Sequence, residues 1–241
     1  MAPDPTGRYK RAPRTDEPEM ASDAAQLFAD ARKHMVDSQI RPNKVTDPRI
    51  LAAMRRLPRE RFVPAEQAAR AYADEDVPLG NGRVLMEPML IARLLQTAMP
   101  LEGERVLVVG AGTGYSSAVL AACGCRVTAL EEDAGLLALA RAALIEYAPS
   151  VMVVTGPFAA GWAAAAPYDV IVLEGGVSAI PDALGLQLRN DGGRLVGIIT
   201  SGRTSHAVLA EATHVGLRAR PVFDCATPPL PSLVPAVAFE F

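Results

Sequence analysis

The chain is short of cysteine and histidine, carries no excess of positive charge and has no long apolar run, and each shortage closes off a class of function. Cys123, Cys125 and Cys225 are an odd set without metal-ligand spacing, so a zinc site is not expected and a reducing compartment suits them best. The Cys123-Gly124-Cys125 pair falls at an expected helix end, where strained vicinal geometry favours burial over a redox role. His34, His206 and His214 lie far apart in sequence, which gives neither a metal site nor a catalytic triad. Lys and Arg number 24 against 27 Asp and Glu, a formal net charge of −3, and the basic residues are scattered. That distribution offers no footprint for nucleic acid or an anionic membrane. No apolar stretch is long enough to span a bilayer, and the first residues lack the apolar centre of a signal peptide, so the expected location is cytoplasmic.

What is present reads as one globular α/β chain of 241 residues. Residues 1–22 mix Pro, Arg, Asp and Glu with few large apolar side chains and read as a disordered tail. Residues 23–98 read as a helical layer. Its first helix follows a Ser22/Asp23 cap, a second opens at Pro48, the stretch from Asp74 to Arg83 reads as loop, and a helix covers Met89 to Ala98. Residues 99–241 alternate strands and helices: strands over Val106–Val109, Arg126–Leu130, Val151–Val154, Asp169–Leu173 and Gly192–Ile199, with helices between them. The expectation is a doubly wound, mostly parallel, Rossmann-like sheet with helices on both faces, forming one compact unit with the N-terminal layer. Val234 to Phe241 is expected to close the sheet edge.

The stretch RVLVVGAGTGY, Arg105 to Tyr115, organises this core. A buried strand runs into Gly110, Gly112 and Gly114, which take backbone angles closed to other residues and let a ligand approach the main chain. A helix begins directly afterwards, so its N-terminus faces that ligand. Glu131 ends the next strand about twenty positions beyond the first glycine, where a carboxylate accepts hydrogen bonds from a ribose diol. Dinucleotide folds use G-x-G-x-x-G, whereas the spacing here is G-x-G-x-G. A compact nucleoside without phosphate, S-adenosyl-L-methionine, fits it better.

VLVVGAGTGYSSAVLA, the ALE at the next strand, YDVIVLEGG with AIP after it, QLRNDGGRLV, and upstream DPRILAAMRRLPRERFVP with DVPLG resemble the protein-L-isoaspartate O-methyltransferase family in that order. The likeness runs from about Met35 to the end of the sheet. It implies the methyltransferase variant of the doubly wound sheet, S-adenosyl-L-methionine as cofactor, and methyl transfer to the α-carboxylate of L-isoaspartyl residues, the opening step of protein repair. The implied partner is an isoaspartyl protein or peptide.

Two departures bear on the acceptor. Where the family reads Ile-Ser-Gln-Pro, this chain has Leu85-Met86-Glu87-Pro88, so the proposed active-site hydroxyl is replaced by Met86, which donates no hydrogen bond. Where the family reads Gly-Asp-Gly, with the acid on the adenine amino group, the chain has Gly156-Pro157-Phe158. Stacking on Phe158 and its backbone N–H are the remaining means of holding adenine. Glu87 beside the acceptor would repel a carboxylate unless protonated or turned away; its bland reading is a helix N-terminal acid stabilised by the dipole. Glu174 ends the fourth strand and reads as a partner for the cofactor's amino group, a base, or a solvated loop charge. Two other functions therefore stay open: a paralogue that methylates another acceptor, including a small molecule, and a non-catalytic cofactor-binding interaction module.

Overall fold

The computed structural model describes residues 16–202 and 204–234. Helix α1 spans Asp16–His34 and so begins earlier than the expected Ser22/Asp23 cap. Pro18 falls in its first turn, where a missing backbone N–H costs no hydrogen bond, and the helix takes in residues whose polar composition read as tail. Residues 1–15 of the expected tail lie outside the described residues. A π-helical turn, Met35–Ile40, follows and buries Met35, Val36 and Ile40. Helix α2, Pro48–Arg56, is capped by Asp47, whose carboxylate accepts from the Arg49 N–H at 2.8 Å.

From Asp74 to Arg83 the expectation of loop is corrected. Strands β1 (Val77–Gly80) and β2 (Arg83–Leu85) form an antiparallel hairpin. Its turn takes positive φ at Gly80, Asn81 and Gly82, so the glycines that suggested a loop make a hairpin turn instead. Helix α3, Pro88–Ala98, then packs on the sheet as expected.

The sheet contains β3 (Arg105–Val109), β4 (Arg126–Glu131), β5 (Met152–Thr155), β6 (Val170–Val177), β7 (Arg194–Ser201), β8 (Thr204–Thr213) and β9 (Gly216–Asp224). Their order is β5-β4-β3-β6-β7-β8-β9; the first five run parallel and the last two antiparallel. The doubly wound, mostly parallel architecture is the one expected. Among the described residues β5 and β9 are the edge strands, and all of the proposed edge-closing segment but Val234 lies outside them.

Alternation along the central strands divides the core in two. Val106 and Val108, with Val170 and Val172, face helices α3, α4 (Tyr115–Ala122) and α5 (Ala134–Tyr147) and the N-terminal layer. Leu107 and Val109, with Ile171 and Leu173, face Phe158, Tyr168, the short helix α6 (Asp182–Gly185) and Leu230. Met35, Met54 and Phe62 belong to the same buried cluster as Val119 and Leu209, so the N-terminal layer and the sheet share one core.

Candidate functional site

Register places the site. On β3, Val109 lies opposite Leu130 of β4 on one side and Leu173 of β6 on the other. The next residues, Gly110, Glu131 and Glu174, therefore emerge side by side at the carboxyl end of the sheet. Strand order reverses here, and ligands of open α/β sheets bind in the resulting crevice. Gly110, Gly112 and Gly114 have φ of 74, 56 and 92°, the left-handed region that glycine tolerates. A Cβ at Gly114 would fall 2.7 Å from Leu144 Cδ1, so the turn also needs glycine for close packing on α5.

Glu131 is fully buried and its carboxylate is crowded with donors. One oxygen accepts from Arg83 Nη1 at 2.9 Å and from the Glu132 and Asp133 N–H groups; the other accepts from Arg83 Nη1 at 3.1 Å and from Gly112 N–H at 2.7 Å. Arg83 Nη2 donates to the Gly110 carbonyl at 2.8 Å, and the guanidinium carbon lies 5.2 Å from the centre of the Phe158 ring. Sequence reasoning missed Arg83. The signal available to it was a cation at an inward-facing position of a short strand, two residues from the buried Leu85.

Phe158 is buried beside the site, but its backbone N–H donates to Glu132 Oε2 at 3.3 Å and is not free for adenine. Glu174 is part of β6, which overturns its reading as a solvated loop charge. Burial pushes its carboxyl up to about 7, against the opposing pull of Arg83 and Arg59. Its Oε1 is buried without a hydrogen-bond partner, as are Arg59 Nη1, Tyr115 Oη and Ser116 Oγ. Unpaired buried polar atoms of this kind mark a place where a polar ligand is accommodated.

Met86 is buried, and its carbonyl accepts from Arg59 Nη2 at 2.6 Å. Arg59 also donates through Nε to the Ala71 carbonyl at 2.7 Å and lies over the Tyr115 ring, so it ties the N-terminal layer to the start of α4. Glu87 precedes α3 and makes no side-chain capping bond. Burial first, and then the charges of Asp74 and Asp76, push its carboxyl upward, so helix-dipole stabilisation does not govern it. Asp76 accepts the Glu87 N–H at 2.8 Å and the Thr227 hydroxyl at 3.2 Å, which links this corner to the C-terminal segment. That segment crosses the carboxyl end of β6: Gly176 N–H donates to Pro228 O and Leu230 N–H to Gly176 O. The Leu230 side chain presses on Gly110 and Gly175, where a Cβ would fall 3.0 and 2.7 Å from it.

The donor and acceptor set suits S-adenosyl-L-methionine: a carboxylate for a diol, a glycine turn at a helix N-terminus, an aromatic face and an unpaired glutamate oxygen. In the arrangement seen, Arg83 fills the diol's role. Among the described residues no group of His, Cys, Asp or Glu is placed to hold a metal ion, and no helix is long and apolar enough to cross a membrane.

A family model described as Protein-L-isoaspartate(D-aspartate) O-methyltransferase matches residues 30–217. A Methylorubrum populi protein named protein-L-isoaspartate O-methyltransferase is 45% identical over 166 residues, 69% of this chain and 78% of that one. A Methylorubrum extorquens protein of the same name is 42% identical over 168 residues, 70% of this chain and 73% of that one. Among solved structures, one named protein-L-isoaspartate O-methyltransferase superposes with a TM-score of 0.73 at 24% identity, over 83% of this chain and 65% of its own. A Plasmodium falciparum structure named for the same activity, in complex with S-adenosyl-L-homocysteine, gives 0.72 at 17% identity, over 83% and 97%. At these identities the two superpositions establish the fold.

Proposed function

Since the chain belongs to the protein-L-isoaspartate O-methyltransferase family, we propose that it transfers a methyl group from S-adenosyl-L-methionine to the α-carboxylate of L-isoaspartyl residues in damaged proteins. The observation that carries this reading is the placement of Gly110, Glu131 and Glu174 side by side where the strand order reverses. When bound, the cofactor supplies a sulfonium methyl, which the carboxylate oxygen takes as the carbon–sulfur bond breaks toward sulfur.

Around that step the side chains position and exclude water. Glu131 accepts the ribose hydroxyls, and the glycine turn brings main chain against the cofactor's amino-acid end. Glu174 Oε1 accepts from the α-ammonium. Met86 offers a dry wall, and an ionised carboxylate needs alignment and desolvation more than a base. Glu87 holds its proton more readily than an ordinary glutamate, which lessens its repulsion of the incoming carboxylate. The three free cysteines accord with a reducing, cytoplasmic setting.

The test is to incubate the protein with methyl-labelled S-adenosyl-L-methionine and an isoaspartyl peptide, beside its aspartyl twin, and count base-labile label. Label on the isoaspartyl peptide alone is the expected result. A second reading, methylation of a different acceptor, is favoured by Met86 and by the acids Asp74, Asp76 and Glu87 together. Cofactor binding without label on either peptide would select it.

A further inference from the structure

The geometry points to Arg83 as an internal occupant of the cofactor's nucleoside site, exchanged for the cofactor when it binds. The inference rests on the cofactor assignment above and adds to it a residue outside the glycine turn. Two roles that a nucleoside asks of the site, and one contact of the glycine turn, are taken by one planar group. Nη1 donates to both Glu131 oxygens, as a ribose diol would; Nη2 donates to the Gly110 carbonyl; and the guanidinium covers the Phe158 ring, the aromatic face assigned to adenine. The side chains of Arg83 and Glu131 are 6% and 1% exposed, so this ion pair lies inside the crevice. A nucleoside and this guanidinium cannot hold Glu131 in the same way at once.

Arg83 sits on the hairpin β1–β2, whose Val77, Leu79 and Leu85 side chains belong to the buried core, so the exchange is a movement of the Arg83 side chain with the hairpin turn. The hairpin β1–β2 has a second strand of only three residues, and a two-stranded ribbon of that size has little stability of its own. Its turn is tethered to the body through Asn81 Nδ2, which donates to Asp133 Oδ2 at 2.7 Å. When Arg83 leaves, Glu131 keeps three backbone donors, from Gly112, Glu132 and Asp133, so the carboxylate is not stranded. Leu79, on the same hairpin, stands 3.4 Å from the Cβ position of Gly112, so the hairpin that carries Arg83 also packs on the glycine turn. Only the open fraction binds, and the apparent dissociation constant is the intrinsic one divided by that fraction.

S-adenosyl-L-homocysteine titrated calorimetrically into the full chain and into Arg83→Gln tests this. The variant is expected to bind about tenfold tighter or more, the gain from an open state populated at about a tenth or less. Stopped-flow association, followed by Trp162 fluorescence, is expected to saturate with ligand concentration in the unaltered chain and to stay linear in the variant. Equal affinity with linear rates in both overturns the exchange and leaves the cofactor assignment standing. Weaker binding by the variant also overturns it, because Arg83 would then be a cofactor contact. Absence of binding by both removes the assignment and the exchange together.

Loss of Arg83 leaves a buried anion, so a second measurement uses the unaltered chain. The Arg83 Nη–H resonances are expected to be protected from solvent exchange without ligand, because both Nη atoms are hydrogen-bonded, and to lose that protection at saturation. Protection that persists at saturation overturns the proposal.

Discussion

Glu174 shows how one side chain couples site chemistry to stability. Its folded-state value of about 7 lies above the ordinary 4.5, so between those limits the folded protein holds a proton that the unfolded chain has released. Stability therefore falls as pH rises across that window and levels off above it, where the buried carboxylate is ionised in both states' terms of comparison. Glu174→Gln keeps the shape without the charge. Its melting temperature is expected to gain on the unaltered protein between pH 5 and pH 8, by about 2–4 °C for each kcal/mol of relief; a difference that is flat with pH would contradict the assignment. Gly114→Ala is expected to lower the melting temperature and weaken cofactor binding, because φ is 92° and the new methyl would meet Leu144. Calorimetry and a thermal melt read both effects. The glycines and Glu131 were legible in the sequence because backbone freedom and acidic spacing leave a local trace. Arg83 was not, since its partner is supplied through space by another strand and its inward direction follows from a hairpin the local composition disguised.

At the level of elements, capping and turn chemistry set what could be read. Asp47 and Asp133 cap α2 and α5, Asp133 Oδ1 accepting the Leu136 N–H at 2.9 Å. Asp133→Ala is expected to cost about 1 kcal/mol through the lost cap. Asn81→Gly keeps that cap and the positive φ of the turn and removes the tether to the hairpin, so it should melt close to the unaltered protein while associating faster with S-adenosyl-L-homocysteine. Equal association rates for the two would count against the tether. Parallel strands declared themselves as apolar runs because both faces are buried, as at Val106–Val109. The β1–β2 hairpin did not, because Pro78 and two glycines in a short ribbon carry the composition of a loop.

For the whole molecule, the shared core predicts shared unfolding. Trp162, the single tryptophan, packs on the sheet face that carries Phe158 and Leu230, while the longer helices cover the opposite face. Trp162 fluorescence and far-ultraviolet circular dichroism are expected to melt in coincident transitions; separated midpoints would show that the N-terminal layer unfolds independently of the sheet. The doubly wound order was legible because alternating strands and helices admit few right-handed connections. How the segment from Thr227 to Leu230 meets the N-terminal layer and the sheet over the crevice was not, because no local pattern pairs Asp76 with Thr227 or Leu230 with Gly110 and Gly175. That meeting has a consequence for biosynthesis. A chain emerging from the ribosome presents the glycine turn and Glu131 before Leu230, so a nascent protein carries an unroofed crevice until the Leu230 segment is released. The crevice acquires its roof only after every described strand of the sheet has been made.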